Sequence, residues 1–323
     1  MANFLVTGSA GFIGSRVIAL LLEDGHHVTG IDNLNDAYDV RMKHYRLARL
    51  KNHPSFQFLE RDISERSILA LADLKSFAAV INLAARAGVR QSVENPWVYI
   101  DTNVTGTLNM LELCRQHGIP KFILASTSSI YGAKAPLPTS EEADSSQPLQ
   151  VYAASKKGAE ALCHSYHHLY GIDVTVFRYF TVYGPAGRPD MSMFRFTQWI
   201  SEGLPLRLNG DGEQSRGFTY VDDIARGTIL GLQPLGYEII NLGGHETITM
   251  NQLIHLLEDR IGQQALVTHL PFNSADMLAN WADTSKARRL LGWQPRIDLE
   301  QGVLNLVAWY QAERAWASQI RTD

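Results

Sequence analysis

The sequence predicts an α/β chain: a doubly wound parallel sheet followed by a smaller C-terminal lobe that binds substrate. Three observations carry this. Short apolar strands alternate with amphipathic helices over the first 180 residues, a glycine-rich turn joins the first strand to the first helix, and turn residues crowd the chain after Tyr179.

The first strand is read at 4–7 and the first helix at 12–23, ended by Gly25. The second strand is 27–32, and a basic helix follows at 38–51. Further strands are expected at 56–60, 78–83, 122–126 and 174–179, with helices between them. Such connections return right-handed over both faces of one sheet. Beyond Tyr179 come Gly184-Pro185, Gly187, Pro189 and Gly210 to Gly212, with helices expected at 193–202, 221–232, 251–261, 285–291 and 299–313. The expected domains are 1–180, to which the chain returns around 217–243, and 181–323, mainly the substrate lobe.

The 323 residues are 45% hydrophobic, enough for a full core, and the net charge is −4 with no basic run or face. That balance argues against nucleic-acid and membrane-surface partners. The chain enters a strand at Asn3 without a charged leader, and no apolar run is long enough to span a bilayer. A cytoplasmic setting is therefore expected. Cys114 and Cys163 both fall in helical patterns and form no disulfide framework.

The chemistry is concentrated in Tyr152-Ala-Ala-Ser-Lys156 and the hydroxyl cluster Thr127-Ser128-Ser129. A phenol four residues before an ammonium on a helix puts both on one face. The hydroxyls end a strand, where open α/β sheets bind ligands. A free phenol titrates near 10, and bringing it to about 7 takes roughly 4 kcal/mol, which Lys156 and a nicotinamide cation together are expected to supply. Tyr152 then serves as base and Thr127 as hydroxyl relay for oxidation of a secondary alcohol.

Gly8, Gly11 and Gly14 follow the first strand, so the backbone, with Phe12 and Ile13 opening the helix, can approach a pyrophosphate. Asp32 closes the second strand, placed for a ribose diol and repelling a 2′-phosphate, which selects NAD over NADP. Arg41 and Lys43 lie on the next helix and are not expected to read a phosphate. Asp62 and Ile63 follow the third strand and Leu83-Ala84-Ala85 the fourth, at the same edge; Asp62 reads equally well as a helix cap for Ser64. His164, His167 and His168 lack an accompanying carboxylate at ligand spacing, so no metal is expected. Trp309 and Trp316 read as packing residues.

Together, Gly8-x-x-Gly11-x-x-Gly14, Asp32-Asn33, Leu83-Ala84-Ala85, Tyr131-Gly132, Tyr152-x-x-x-Lys156 and Tyr179-Phe-Thr-Val-Tyr-Gly-Pro185 resemble the extended short-chain dehydrogenase/reductases, the nucleotide-sugar epimerases and dehydratases. The resemblance runs from Asn3 to about Asp298. It implies a Rossmann-type sheet, bound NAD contacted also by Asn33 and Tyr179, a catalytic hydroxyl at Thr127, and a homodimer paired through helices near 95–117 and 152–170. Those helices carry extra apolar residues (Val98, Tyr99, Leu108, Leu111, Leu162, Tyr166, Leu169).

Dehydratases of this family have acids just after the relay hydroxyl, where this chain has Ser128 and Ser129. Epimerisation at C4 is what remains. The resemblance places nucleotide contacts at Arg216 and Asp276, with Arg90 a further loop cation facing the cleft. The stretch from Thr181 through Arg188, with Ala87-Gly-Val-Arg90 and Gly217-Phe-Thr-Tyr-Val-Asp-Asp223, resembles the UDP-glucuronate 4-epimerases. Arg188 with Thr181, Thr127, Ser128 and Ser129 suits a C6 carboxylate better than a hydroxymethyl group. The alternatives are a UDP-glucose/UDP-galactose 4-epimerase and a non-catalytic NAD-binding module. Two positions depart from the family pattern, Arg86 where glutamine is usual and Gly217 where aspartate is common.

Overall fold

The computed structural model describes residues 1–71, 77–272 and 277–322. Among them, the strands β1 (Asn3–Thr7), β2 (His27–Asp32), β3 (Phe56–Glu60), β4 (Ala79–Asn82), β5 (Lys121–Thr127) and β6 (Asp173–Tyr179) alternate with helices as the sequence predicts. The helices between them are α1 (Phe12–Glu23), α2 (Arg41–Ala48), α3 (Gly106–His117) and α4 (Val151–Tyr170). In the second half come β7 (Thr181–Tyr183), α5 (Ser192–Ser201), β8 (Pro205–Asn209), β9 (Ser215–Tyr220), α6 (Val221–Leu230) and β10 (Tyr237–Leu242). The chain ends with β11 (Glu246–Thr249), α7 (Met250–Ile261), β12 (Leu266–Leu270), β13 (Ala279–Asn280), α8 (Ser285–Leu291) and α9 (Leu299–Ala317).

Seven strands form one parallel, Rossmann-like sheet in the order β10-β6-β5-β4-β1-β2-β3. Its order reverses beside β1, which pairs with β2 through Leu5↔Thr29 and with β4 through Leu5↔Val80. Successive residues of β1 feed opposite layers. Phe4 and Val6 pack with Val17, Ile18 and Leu21 of α1 and Ile224 of α6, whereas Leu5 packs with Leu111 and Leu113 of α3 and Ala159 of α4. Burial on both faces explains why these strands read as continuous apolar runs rather than alternating ones.

The smaller lobe holds a four-stranded sheet, β11-β9-β13 with β7 also on β9, and a two-stranded ribbon, β12-β8. Its core joins Trp199 of α5, Phe218 of β9, Leu253 and Leu257 of α7 and Leu306 of α9. The chain re-enters the large sheet through β10, which runs parallel to β6. Among the described residues, no helix is long and apolar enough to cross a membrane.

Three local differences from the sequence reading matter. Helix α2 starts at Arg41 rather than 38, because 33–40 is occupied by Asx-type turns in which Asn33 and Asn35 side chains accept from the backbone two residues on. Residues Ile100–Thr105 are π-helical, a local register shift that apolar spacing does not announce. Of the apolar residues assigned to a subunit interface, Tyr99 and Leu111 are buried within the chain; Leu169 is exposed, together with Tyr170, Trp97 and Ile100.

Gly217 is accounted for by packing. A Cβ there would lie 2.3 Å from the Gly244 carbonyl oxygen and 2.6 Å from its carbon, with no flexible neighbour to yield. Gly217→Ala is therefore expected to lower stability by about 1–3 kcal/mol, the usual range for overpacking a closed contact. Urea unfolding followed by fluorescence measures this; an unchanged midpoint would show that β9 and the turn at Gly244 part freely.

Candidate active site

The crevice opens at the C-terminal edge of the sheet, between β1 and β4, where the strand order reverses. Gly8 turns there with φ +68°, and a Cβ would press to 2.7 Å from the Ala84 backbone nitrogen, so the turn after β1 and the turn after β4 touch backbone to backbone. Helix α1 begins at Gly11 without a side-chain cap and without an acidic residue in its first turn. By contrast, α7 closes its N-terminus with a complete Thr249/Gln252 capping box. The open N–H groups at Phe12, Ile13 and Gly14 suit an anion.

Gly8, Gly11, Asp32, Asn33, Asp62, Ile63, Leu83, Ala84 and Ala85 line one cleft, together with Asn35, Tyr38, Lys43 and Thr102. Asp32 is buried; its carboxylate accepts from Ala10 N (3.1 Å), Leu34 N (2.9 Å) and Lys43 Nζ (3.4 Å). Lys43 thus lines the cleft beside Asp32, because α2 turns its inner face toward β2. Arg41 is different, paired on the surface with Asp39. Asp62 plays both roles left open, lining the cleft and capping the turn by accepting from Ser64 N at 2.8 Å. Burial raises its pKa, but Ser64 and Asn33, which donates at 2.7 Å, outweigh that and lower it.

Tyr152 and Lys156 occupy successive turns at the start of α4, and Thr127 ends β5 opposite Tyr179 of β6. The Thr127 hydroxyl lies close enough to the Tyr152 phenol to act on its pKa. Thr127 Oγ1 also accepts from Ser129 N at 3.2 Å and donates to Ser129 Oγ at 3.2 Å. Burial raises the phenol's pKa, opposed by the Thr127 hydroxyl and by the charge of Arg188. The groups that act on the phenol within the protein are thus Thr127 and Arg188. Lys156 is only 1% exposed, its Nζ has no hydrogen-bond partner, and burial lowers its pKa to about 8. An unpartnered buried ammonium beside the cleft fits a ribose diol, as the open α1 terminus fits a pyrophosphate, so the residues present suit a dinucleotide.

Of the candidate substrate cations, Arg188 is the one that acts on Tyr152. Its guanidinium donates Nε and Nη2 to Asp190 at 3.1 and 2.6 Å. Burial works against its charge, but Asp190 outweighs this and holds its pKa above the ordinary value. Thr181 opens β7 and is half-buried. Ser128 is buried and its hydroxyl accepts from Asn280 Nδ2 at 3.0 Å, while Asn280 pairs in register with Arg216 of β9. Arg216 donates to Ser215 O at 2.7 Å. Arg90 is exposed before the turn Gln91–Glu94, and Asp276 lies outside the described residues. Tyr179 is buried, its hydroxyl 2.7 Å from that of Thr228.

Residues 4–243 match the model of the NAD dependent epimerase/dehydratase family. The chain belongs to that family. It is 56% identical to a UDP-glucuronate 4-epimerase of Thermodesulfobacterium geofontis over 96% of either chain. It is similar to UDP-glucuronic acid 4-epimerase from Bacillus cereus, solved in complex with UDP-glucuronic acid and NAD, with TM-score 0.90, 36% identity and coverage of 96% and 99%. It also resembles UDP-glucose 4-epimerase from Thermotoga maritima with UDP-glucose, with TM-score 0.88, 32% identity and coverage of 97% and 99%.

Sequence reasoning passed over several residues that this member of the epimerase/dehydratase family uses to shape the cleft. Asn103, in the π-helical turn, accepts from Arg86 N (2.9 Å) and donates to Arg86 O (3.0 Å) and Ser155 Oγ (2.9 Å). It thereby ties the exit of β4 to α4. Tyr99 stands edge-on to Tyr152 with ring centres 6.0 Å apart, and the charges of both Arg86 and Arg188 act on its phenol. The asparagine in a helical pattern gave no signal because only the π-turn aims it inward.

The buried ammonium makes a stability prediction. Lowered from 10.5 to about 8, Lys156 destabilises the cofactor-stripped fold by about 3 kcal/mol at pH 7. As pH rises from about 8 toward 10.5 the folded state sheds this proton before the unfolded state does, so the penalty fades and stability climbs. Lys156→Met should therefore raise the urea midpoint at pH 7, with the gain shrinking above pH 8. Equal midpoints at pH 7 would show that the ammonium is not desolvated.

Proposed function

We propose that the protein is a UDP-glucuronate 4-epimerase, interconverting UDP-glucuronate and UDP-galacturonate through a transient 4-keto sugar with NAD retained throughout. The observation that carries this is Arg188, a guanidinium whose charge acts directly on the Tyr152 phenol. A cation within electrostatic reach of the base suits a substrate with a negative group one carbon beyond the ring. The similarity to UDP-glucuronate 4-epimerases over nearly the whole chain supports it. No carboxylate is among the groups acting on Tyr152, and the residues after Thr127 are serines, so elimination of water has no acid to protonate a leaving hydroxyl.

In this reading Tyr152 takes the C4 hydroxyl proton, with Thr127 aligning the two oxygens. Bound NAD supplies a hydride acceptor for C4 and a donor for its return. Lys156 donates to the nicotinamide ribose and adds positive charge beside the phenol once that diol is in place. Asp32 and Lys43 hold the adenosine ribose. Inversion requires the ketone to present its other face to the same cofactor, so the UDP must be gripped while the sugar ring turns. The grip falls to the lobe 181–323, with Arg216 on β9 and Asp276, and with Arg90 at the rim. Arg188, Thr181 and the Thr127–Ser129 hydroxyls hold the carboxylate.

A second reading, epimerisation of a neutral UDP-hexose, draws on the Arg188–Asp190 pair, which leaves little net charge at that point. Incubation of the pure protein with UDP-glucuronate or UDP-glucose, without added NAD, separates the readings chromatographically. Epimerisation of the uronate is expected; exclusive turnover of the neutral sugar would replace the first reading by the second. Arg188→Ala should raise KM for UDP-glucuronate by roughly 10- to 100-fold, the equivalent of about 1.5–3 kcal/mol of charge-assisted bonding. Its surviving turnovers should release UDP-4-keto-pentose. Undiminished epimerisation by this variant would place the carboxylate elsewhere.

A homodimer joined through the neighbouring helices that carry Trp97, Ile100, Leu169 and Tyr170 belongs to the same proposal, since these large apolar side chains are exposed (41–76%). Light scattering at micromolar concentration is expected to give twice the chain mass, and Trp97→Glu to give the monomer. A monomeric wild type would refute it.

A further inference from the structure

We propose that Arg46 is a positioning residue that couples the cofactor turn to the loop bearing Arg188, and so sets the carboxylate against loss of CO₂. This rests on the uronate reading above. Arg46 lies on the inner face of α2, 4% exposed, with no carboxylate partner among the described residues. Its charge is met by carbonyls and rings instead. Nε donates to Ala186 O at 2.9 Å and Nη2 to Gly187 O at 3.0 Å; Nη1 donates to Ala10 O at 3.3 Å and to the Tyr38 hydroxyl at 2.7 Å. The guanidinium also lies over the Phe12 and Tyr38 rings, 5.7 and 5.5 Å from their centres.

The two loops it joins are the two that matter. Ala10 sits in the glycine-rich turn, and its N–H is held by Asp32. Its peptide is therefore clamped at both ends, by the ribose carboxylate on one side and by Arg46 on the other. Ala186 and Gly187 immediately precede Arg188. Ala186 is in the left-handed region at φ +54°, a conformation an alanine keeps only when its surroundings hold it. Arg46 supplies that hold through the alanine's own carbonyl. A planar fork is required here, because an ammonium has a single donor atom and cannot reach carbonyls of both loops in these directions. Helix α2 is itself braced from behind: Trp309 Nε1 donates to Tyr45 OH at 2.9 Å, and Trp316 lies against the Tyr45 ring.

The chemical consequence concerns the 4-keto intermediate, a β-keto acid. If its C5–C6 bond swings parallel to the carbonyl π orbitals, that bond breaks and its electron pair passes to the ketone as an enolate. CO₂ leaves, and the enolate takes a proton at C5 to give UDP-4-keto-pentose, with the C4 hydride retained as NADH. Holding C5–C6 near the carbonyl plane prevents this. A displacement of Arg188 by a fraction of an ångström changes that alignment, and Arg46 fixes the backbone from which Arg188 projects.

The test measures product partition, which a purely structural role does not move. Full-length wild type, Arg46→Met, Arg46→Lys, Tyr38→Phe and Leu47→Ala are incubated with UDP-glucuronate, and UDP-galacturonate and UDP-4-keto-pentose are quantified. Arg46→Met is expected to raise the ratio of keto-pentose to epimer at least ten-fold, with Arg46→Lys failing to restore it and Tyr38→Phe showing a smaller rise. Leu47→Ala, which removes a buried side chain next to Arg46 on the same helix, should keep the wild-type ratio. A wild-type ratio in Arg46→Met, or in Arg46→Lys if the methionine variant does not fold, overturns the proposal. So does an equal rise in Leu47→Ala. A wild type that leaves UDP-glucuronate unchanged overturns the uronate reading instead, which keeps the two failures distinct.

Discussion

Glu160 is the residue on which the geometry of this site depends. It lies on α4 one turn beyond Lys156, buried, and its carboxylate accepts from Arg178 of β6 at 3.0 and 2.8 Å and from Ser126 of β5 at 2.6 Å. Three elements of different sequence origin are thereby held in one register. Ser126 immediately precedes Thr127, and Glu160 follows Tyr152 by about two helical turns, so the same bonds that seat the helix bring the phenol to the hydroxyl. Arg178 continues the network to the Tyr131 hydroxyl (2.9 Å), which donates to Asn241 of β10 (2.6 Å). A buried ion pair of this kind adds little to stability over a hydrophobic replacement. What it supplies is uniqueness of register, and the chemistry needs that.

The same helix carries an opposite kind of feature. Lys156 is buried without a partner, and Glu160, already committed to Arg178, raises its pKa too little to cancel the loss of hydration. The uncapped start of α1 is a second unmet demand. In the function proposed above, both would be met by the same ligand, a diol at one and a pyrophosphate at the other, and stability would have been given up where the dinucleotide supplies the missing partners. The rest of the molecule compensates through a sheet buried on both faces and a second lobe with its own core.

Much of this was legible in the sequence, for physical reasons that can be named. Strand and helix periods are local, so the alternation from β1 to β6 was visible, and glycines at 8, 11 and 14 mark a turn no other residue can make so tightly. Tyr152 and Lys156 share a face by helical spacing alone. The full burial of Lys156 was not legible, because spacing gives direction but not depth, and depth decides whether a cation is hydrated. Arg46, Asn103 and Asn280 were missed since each acts across long sequence separations. Lys43 and Arg46 look like ordinary members of a basic, solvated helix until α2 is placed against β2 and α9. Gly217 has meaning only once Gly244 stands against it.

The pairing of Arg188 with Asp190 bears on how an acid is told from a neutral sugar. A lone buried guanidinium would attract any anion strongly and would pay heavily when none was bound. Paired through Nε and Nη2 with Asp190, Arg188 is stable without ligand, and in the uronate reading proposed above its remaining N–H groups would meet the carboxylate with local direction rather than with net charge. Binding energy then comes chiefly from the diphosphate and nucleoside, held at a distance from the reacting carbon, and the arginine is left to orient C6. This division of labour suits a reaction whose intermediate is prone to lose CO₂, because orientation of the carboxylate matters more than its affinity. It also sets a limit on selectivity. A hydroxymethyl group leaves the free N–H groups of Arg188 less well paired, but Asp190 has already satisfied the rest, so the penalty for the neutral sugar is that of one or two unmet hydrogen bonds and not of a bare buried charge.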